Sequence, residues 1–272
     1  MSDKAGAQRG NRPLLFYAIG YLAFLYIPVL FLPLFSFNDS IYVAFPLSGF
    51  TTEWYSVVLA DEPMQAALVN SLKVGAAVAT IATVLGIFGA KAVTRYRIRG
   101  QRPVIGAIML PLVIPGIILG VALLILLSRV GVQLSLVTVA IGHTLICVPF
   151  AMATLMARFE GFDRSMEEAA ADLGDNAWWT FWRVTLPLVF PGVVASFLLC
   201  FTISFDEFII AFFLAGTEPT LPIFIYGQLR FPQTLPGVLA LGSLILVVSF
   251  VVVFFSQWLQ RKGAAGSAGP GI

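Results

Sequence analysis

Apolar residues in this chain come in runs too long for a globular core, and the polar residues are gathered in the short stretches between them. The first run, over 14–37, has 24 residues. At about 1.5 Å of rise each it makes about 36 Å of helix, more than the roughly 30 Å of a bilayer's hydrocarbon core. It lacks the short core and small-residue cleavage site of a signal peptide, so it reads as a span. Further runs cover 67–93, 103–127, 134–157, 188–216 and 237–259. None alternates apolar and polar positions at period two, as the strands of a membrane barrel would. A helix satisfies its own backbone polar groups, which lipid requires, so the pattern predicts an all-α polytopic membrane protein with six transmembrane helices. The organisation follows: a tail over 1–13, a transmembrane domain over 14–259 and a tail over 260–272. The closing stretch GAAGSAGPGI is expected to be flexible.

Charge sets the orientation. Lys4, Arg9 and Arg12 precede the first run; Lys91, Arg95, Arg97, Arg99 and Arg102 follow the second; Arg158, Arg164 and Arg183 follow the fourth; Arg261 and Lys262 follow the last. The alternate loops hold only Arg129 and Arg230, and 38–66 carries Asp39, Glu53, Asp61 and Glu62 with no base. Basic residues mark the cytoplasmic side, so both termini and the loop over 158–187 are expected there. With 59% hydrophobic and 11% charged residues, the chain lies far from the soluble balance of about 25% charged. A net charge of +2, spread by topology rather than gathered in a patch, gives no footing for nucleic acid. Cys147 and Cys200 sit inside apolar runs without paired spacing and read as small buried hydrophobes, and no metal site is expected.

Two segments predict local features. In LPLVIPGIILG, over 110–120, Pro111 and Pro115 each remove a helix hydrogen bond and predict a kinked third span. In GFTTEWYSVV, Thr51 or Thr52 caps a short interfacial helix on which Trp54 and Tyr55 serve as interface anchors.

The loop over 158–187 departs most from its surroundings. Just before EEAAADLGDNAWWTFWRVTLP, 167–187, Asp163 or Ser165 caps a first helix, and within it Gly174 supplies a left-handed end. Asp175 or Asn176 then caps a second helix carrying Trp178, Phe181, Trp182 and Thr185 on one stripe, and Pro187 ends the segment. Two readings stay open on the residues: a hairpin with tryptophans at headgroup depth, or a protein-docking surface. The low ridge of Ala169, Ala170 and Ala171 permits close approach by another protein.

The spacing Glu168-Ala169-Ala170, three residues, Gly174, nine residues, Val184, one residue, Leu186-Pro187 resembles the EAA loop of permease subunits of binding-protein-dependent ABC importers. NSLKVG, LPLVIPGIILG, FTISFDEFIIAFF and LPIFIYGQLR extend the resemblance over most of the chain. They look most like the second permease subunit of spermidine/putrescine importers. The resemblance implies a type I ABC importer permease fold in a bacterial inner membrane. It also implies a coupling helix that docks on a separate ATPase, with Glu168, Ala169, Ala170 and Gly174 at the contact and Leu186 and Pro187 closing the motif. The implied partners are a pair of ABC ATPase subunits, a second permease chain, an external solute-binding protein and membrane lipid.

Asp206 and Glu207 fall in the fifth run among Phe205, Phe208, Phe212 and Phe213. An ionised acid costs about 2.5 to 3.5 kcal/mol at a membrane helix centre, so the pair should face a polar cavity or a partner. One reading is a path for a cationic solute such as a polyamine, with aromatic faces adding cation–π attraction and Tyr226 on the same path. The other is a structural network with Arg129, Lys73 or another subunit. His143 reads as a packing or hydrogen-bonding residue.

None of the four lysines follows a glycine, so no P-loop is present and ATP hydrolysis is expected on a partner chain. With no HExxH, no GxSxG and a single histidine, no catalytic residue or cofactor is expected. The expected function is alternating-access import of a small cation, driven by a separate ATPase. The alternatives are another cargo in the same importer class, such as an amino acid or its derivative, or a self-contained secondary transporter.

Overall fold

The computed structural model describes residues 12–96 and 99–267, with side chains over 14–96 and 99–251. Lys4, Arg9, Arg97 and residues 268–272 lie outside the described residues, as do the side chains of Arg12, Arg261 and Lys262.

The helices in order are α1 (Arg12–Ser36), α2 (Glu53–Ala60), α3 (Glu62–Arg95), α4 (Gln101–Met109), α5 (Gly116–Arg129), α6 (Leu136–Glu160), α7 (Ser165–Asp172), α8 (Ala177–Thr180), α9 (Leu186–Asp206), α10 (Ile209–Leu214), α11 (Leu221–Gln228) and α12 (Leu235–Ser267). Among the described residues the only strand-like feature is an isolated antiparallel bridge between Asn38 and Phe50. Among the described residues five helical stretches are long and apolar enough to cross a membrane, or six if one bent pair counts as a single span.

That bent pair is the third run. It folds not as a kinked helix but as two pieces, Gln101–Leu112 and Gly116–Arg129, bent by 98°. Pro115 bars Ile114 from helical geometry and has no N–H to give, so the chain leaves the helix before it and Gly116 starts a new one.

The second departure is at Pro187. Instead of ending the hairpin, helix continues from α8 through a π-helical turn, Phe181–Thr185, into α9. Pro187 lacks an N–H and its ring would press on the Arg183 carbonyl. Widening the preceding turn relieves that clash, and Pro187 takes a first-turn position that proline tolerates. The third departure is at the other end of α9. The fifth run breaks, with α9 stopping at Asp206 and Glu207 extended at φ −72°, ψ 115°.

The chain forms two compact units, 62–226 and the remainder. In the first, α3, α6 and α9 pack around Val78, Ala82, Val139, Cys147, Ala151 and Cys200, with Ile210 and Leu214 of α10 in the same cluster. Backbones come close there: a Cβ on Gly86 would stand 2.8 Å from the Ala151 Cβ. Small residues at such crossings allow the contact that drives helix association in lipid. A second cluster, with Ile87, Leu155, Phe159 and Val189, reaches the hairpin through Phe181 and Leu186.

In the other unit, α1, α2 and α12 are joined by polar links. The Ser36 and Tyr55 hydroxyls lie 2.6 Å apart, Ser243 Oγ donates to Ser36 Oγ at 3.3 Å, and Trp54 Nε1 donates to the Asn38 carbonyl at 2.9 Å. Trp54 and Tyr55 are thus half-buried parts of this unit's own network rather than free interface anchors. Thr52 holds the N-cap position of α2 without a side-chain cap hydrogen bond, while the preceding Thr51 hydroxyl accepts the Glu53 N–H at 3.1 Å. The backbone of α12 stays helical through the alanines after Gly263 to Ser267, where the sequence suggested a flexible tail.

Candidate functional site

The stretch between α6 and α9 forms the predicted helix, turn and helix. Asp163 starts it, its Oδ1 accepting the Ser165 N–H at 2.9 Å. Hydrogen bonds from Ser165 hold the Asp163 carboxyl below the ordinary carboxylate value. Gly174 ends α7 at φ 96°, in the left-handed region that strains any residue with a Cβ. Its N–H bonds the Ala171 carbonyl at 2.9 Å and the Asp175 N–H bonds the Ala170 carbonyl at 3.0 Å, a Schellman turn. Asn176 then caps α8, its Oδ1 accepting the N–H groups of Trp178 and Trp179 at 3.1 and 3.0 Å. Arg183 pairs with Asp175 at 3.0 Å and covers the Trp179 ring at 4.8 Å.

The motif residues divide between two faces. Glu168, Ala169 and Gly174 are exposed, next to Met166, Trp178 and a Leu173 that is 90% exposed. Ala170 is turned inward and buried, Leu186 is half-buried against the second core cluster, and Pro187 is exposed. The exposed face is a low apolar surface bordered by acids. Glu167 points the other way. Its Oε2 lies 2.8 Å from Arg95 Nε at the end of α3, and its Oε1 accepts the Thr185 hydroxyl in the π turn. Arg95 also covers the Phe162 ring at 4.3 Å, and one turn earlier Lys91 covers Phe181 at 4.8 Å. Between α3 and the hairpin an open cleft of about 240 Å³ is lined by Lys91, Arg95, Arg164, Glu167, Glu168 and Asp175 among others.

The second site is the break after α9. Asp206 is exposed and makes no side-chain hydrogen bond or ion pair among the described residues. Glu207 is half-buried: its Oε2 accepts the Ile210 N–H of α10 at 2.9 Å and lies 3.7 Å from Nε2 of the fully buried His143. His143 Nδ1 is 2.8 Å from Ser204 Oγ. Among the described residues neither Lys73 nor Arg129 makes an ion pair with these acids, and the basic side chain within 4 Å of Glu207 is His143. Phe208 and Tyr226 meet at 4.8 Å between ring centroids, and Phe212 completes the cluster at 5.5 Å from Phe208. Phe205 instead stacks on Phe201 at 5.9 Å. Non-helical backbone at membrane depth is tolerated where it is buried in protein or lines a watery cavity, which suits acids placed on a break better than acids within an unbroken helix.

A family described as "Binding-protein-dependent transport system inner membrane component" has a model that matches residues 82–263, two thirds of the chain. The chain belongs to that family. The spermidine/putrescine transport system permease protein PotC of Escherichia coli is 36% identical over 248 residues, covering 91% of this chain and 93% of that protein. The putrescine transport system permease protein PotI of Escherichia coli is 34% identical over 247 residues, covering 88% and 87%. A more distant relative, the molybdenum transport system permease protein ModB of Haemophilus influenzae, is 29% identical and covers 65% of this chain. Among solved structures, a chain of a bacterial ABC transporter involved in alginate import superposes with a TM-score of 0.72 at 18% identity, covering 96% of this chain and 98% of that one. Family, spans and superposition agree: this is an ABC importer permease with the fold of that class.

Sequence reasoning missed Glu167, Arg95 and Thr185, and set His143 aside. Lys91 and Arg95, four residues apart at the end of a span, were a visible signal. Their partners lie far along the chain and have no local signature.

Proposed function

We propose that the chain imports a small polyvalent cation of the putrescine or spermidine class, as one of two permease subunits driven by a pair of separate ATPase subunits and supplied by an external solute-binding protein. The observation that carries the cargo reading is the break at Glu207. It puts Glu207 on extended backbone directly after Asp206, the last residue of α9, next to the clustered rings of Phe208, Phe212 and Tyr226. Carboxylates complement ammonium groups, and each aromatic face adds about 0.5 to 2 kcal/mol of cation–π attraction. The names of PotC and PotI support the same class of cargo. Asp206 is the freer of the two acids and the better first contact; Glu207, held by Ile210 and His143, shapes the turn and adds its charge.

The hairpin is the docking element for the ATPase. Glu168, Ala169 and Gly174 offer the exposed contact, joined by Met166 and Leu173, while Ala170 packs inward and Leu186 and Pro187 carry the hairpin into α9. The distribution of Lys and Arg puts this hairpin and both termini on the cytoplasmic side of a bacterial inner membrane. ATP binding closes the ATPase pair, the hairpin follows, and the membrane helices exchange inward for outward opening.

Two sets of variants test the reading. Glu168→Lys and Gly174→Asp should abolish uptake and release the ATPase while leaving the chain inserted in the membrane. Survival of both uptake and ATPase co-purification in both variants would remove the docking assignment. Asp206→Asn should slow putrescine uptake by about tenfold, in line with losing one charge-assisted contact. Undiminished uptake would take Asp206 off the path.

A further inference from the structure

We propose that Glu167 and Arg95 form the mechanical joint between the docking hairpin and the membrane helices, with Glu167 a positioning residue for transport rather than part of the ATPase contact. The inference rests on the coupling reading of the hairpin.

A surface pushed from outside moves a membrane helix only if it is fixed to one. The covalent route out of α7 runs through the Gly174 turn, the four residues of α8 and the π turn. A π turn interrupts the regular hydrogen-bond ladder and is the least regular part of that path. The Glu167 carboxylate bypasses it. One oxygen lies 2.8 Å from Arg95 Nε on α3, and the other accepts the Thr185 hydroxyl from within the π turn, so a single group ties together α7, the turn and α3.

The partners are themselves held. Arg95 lies over the Phe162 ring at 4.3 Å and farther from the adjacent Phe159 ring at 5.9 Å. Lys91, one turn earlier on the same helix, fixes Phe181. The pair is also sheltered, with side chains 10% and 14% exposed. The neighbouring Arg164–Glu168 pair, at 63% and 64%, lies in water and carries little. Adjacent glutamates thus face opposite ways: Glu168 outward to a partner, Glu167 inward to α3. Beyond the joint, α3 is packed against α6 at Gly86 and lies within reach of α9 at Thr83, whose hydroxyl is 3.4 Å from that of Ser196. A displacement delivered to Arg95 therefore reaches the helices that carry the acidic break.

The test uses the complete transporter in proteoliposomes, with putrescine as the probe and both ATP hydrolysis and uptake recorded. Glu167→Gln and Arg95→Gln should keep the ATPase bound and hydrolysing, yet lower putrescine moved per ATP by about tenfold, the scale of coupling between residues in one buried network. The swap Glu167→Arg with Arg95→Glu should recover most of that ratio.

A second measurement needs no cargo. Spin labels on Tyr96→Cys and Asp172→Cys should keep one separation in nucleotide-free and ATP-bound complexes, and lose that constancy when Glu167→Gln is added. An unchanged ratio in both single variants overturns the joint. So does a label separation that shifts between states in the otherwise unaltered protein. Loss of the ATPase from the Glu167→Gln complex would also overturn it, by making Glu167 a docking residue. Failure of the underlying coupling reading looks different: Glu168→Lys would leave ATPase association and uptake intact.

Discussion

Glu207 shows how one side chain serves structure and charge at once. Its carboxylate accepts the Ile210 N–H at 2.9 Å, starting α10, and stands 3.7 Å from His143 Nε2. The two roles can be separated by substitution. Glu207→Gln keeps an acceptor for the Ile210 N–H and loses the charge; Glu207→Leu loses both. The Gln variant should melt like the wild type in a detergent thermal-shift assay yet take up putrescine more slowly. The Leu variant should in addition lose about 1 kcal/mol of stability, the usual cost of a missing helix cap. Equal uptake by Gln and wild type would reduce Glu207 to a cap. Much of this was legible beforehand: two adjacent acids among phenylalanines already pointed to a polar cavity or a partner. That the side chain beside Glu207 is His143, and not Lys73 or Arg129, was not legible. It depends on α6 and α9 crossing closely enough to bring His143 against Ser204.

Among the elements, the hairpin was the most legible and the breaks the least. Gly174, Asn176 and Asp163 act through hydrogen bonds to neighbours two to five residues away, so their spacing alone predicts helix, turn and helix. Proline is harder to read, because whether it kinks, breaks or is absorbed depends on what the turn before it can do. At Pro115 the chain breaks by 98°, whereas at Pro187 a π turn absorbs the missing N–H and the helix runs on. The π turn also holds Thr185, which donates to Glu167. Pro187→Ala restores the N–H and removes the ring's clash with the Arg183 carbonyl, so the turn can tighten and rotate Thr185 by up to about 100°, one residue's worth of helical twist. Such a variant should keep the ATPase bound while moving less putrescine per ATP, and its new amide at position 187 should be protected from hydrogen exchange as in a regular helix. Unchanged transport would mean that the wide turn is only a packing detail.

At the scale of the whole molecule, two observations converge on an importer permease. The described residues hold five to six candidate spans, and the chain belongs to the binding-protein-dependent permease family; its sequence contains no P-loop, in keeping with the proposed ATPase partner. The spans themselves were legible because membrane length is a property of composition over about 20 residues and needs no tertiary information. The Arg95–Glu167–Thr185 joint was not, since it links positions that only the folded bundle brings together. The proposed activity is ATP-driven polyamine import. Its most direct test is radiolabelled putrescine accumulation in proteoliposomes holding this chain, its ATPase, the second permease and the binding protein, with and without ATP. Accumulation should require ATP and the binding protein and disappear with Gly174→Asp. Equal accumulation without ATP or the ATPase, or none at all while another solute stimulates hydrolysis, would contradict it.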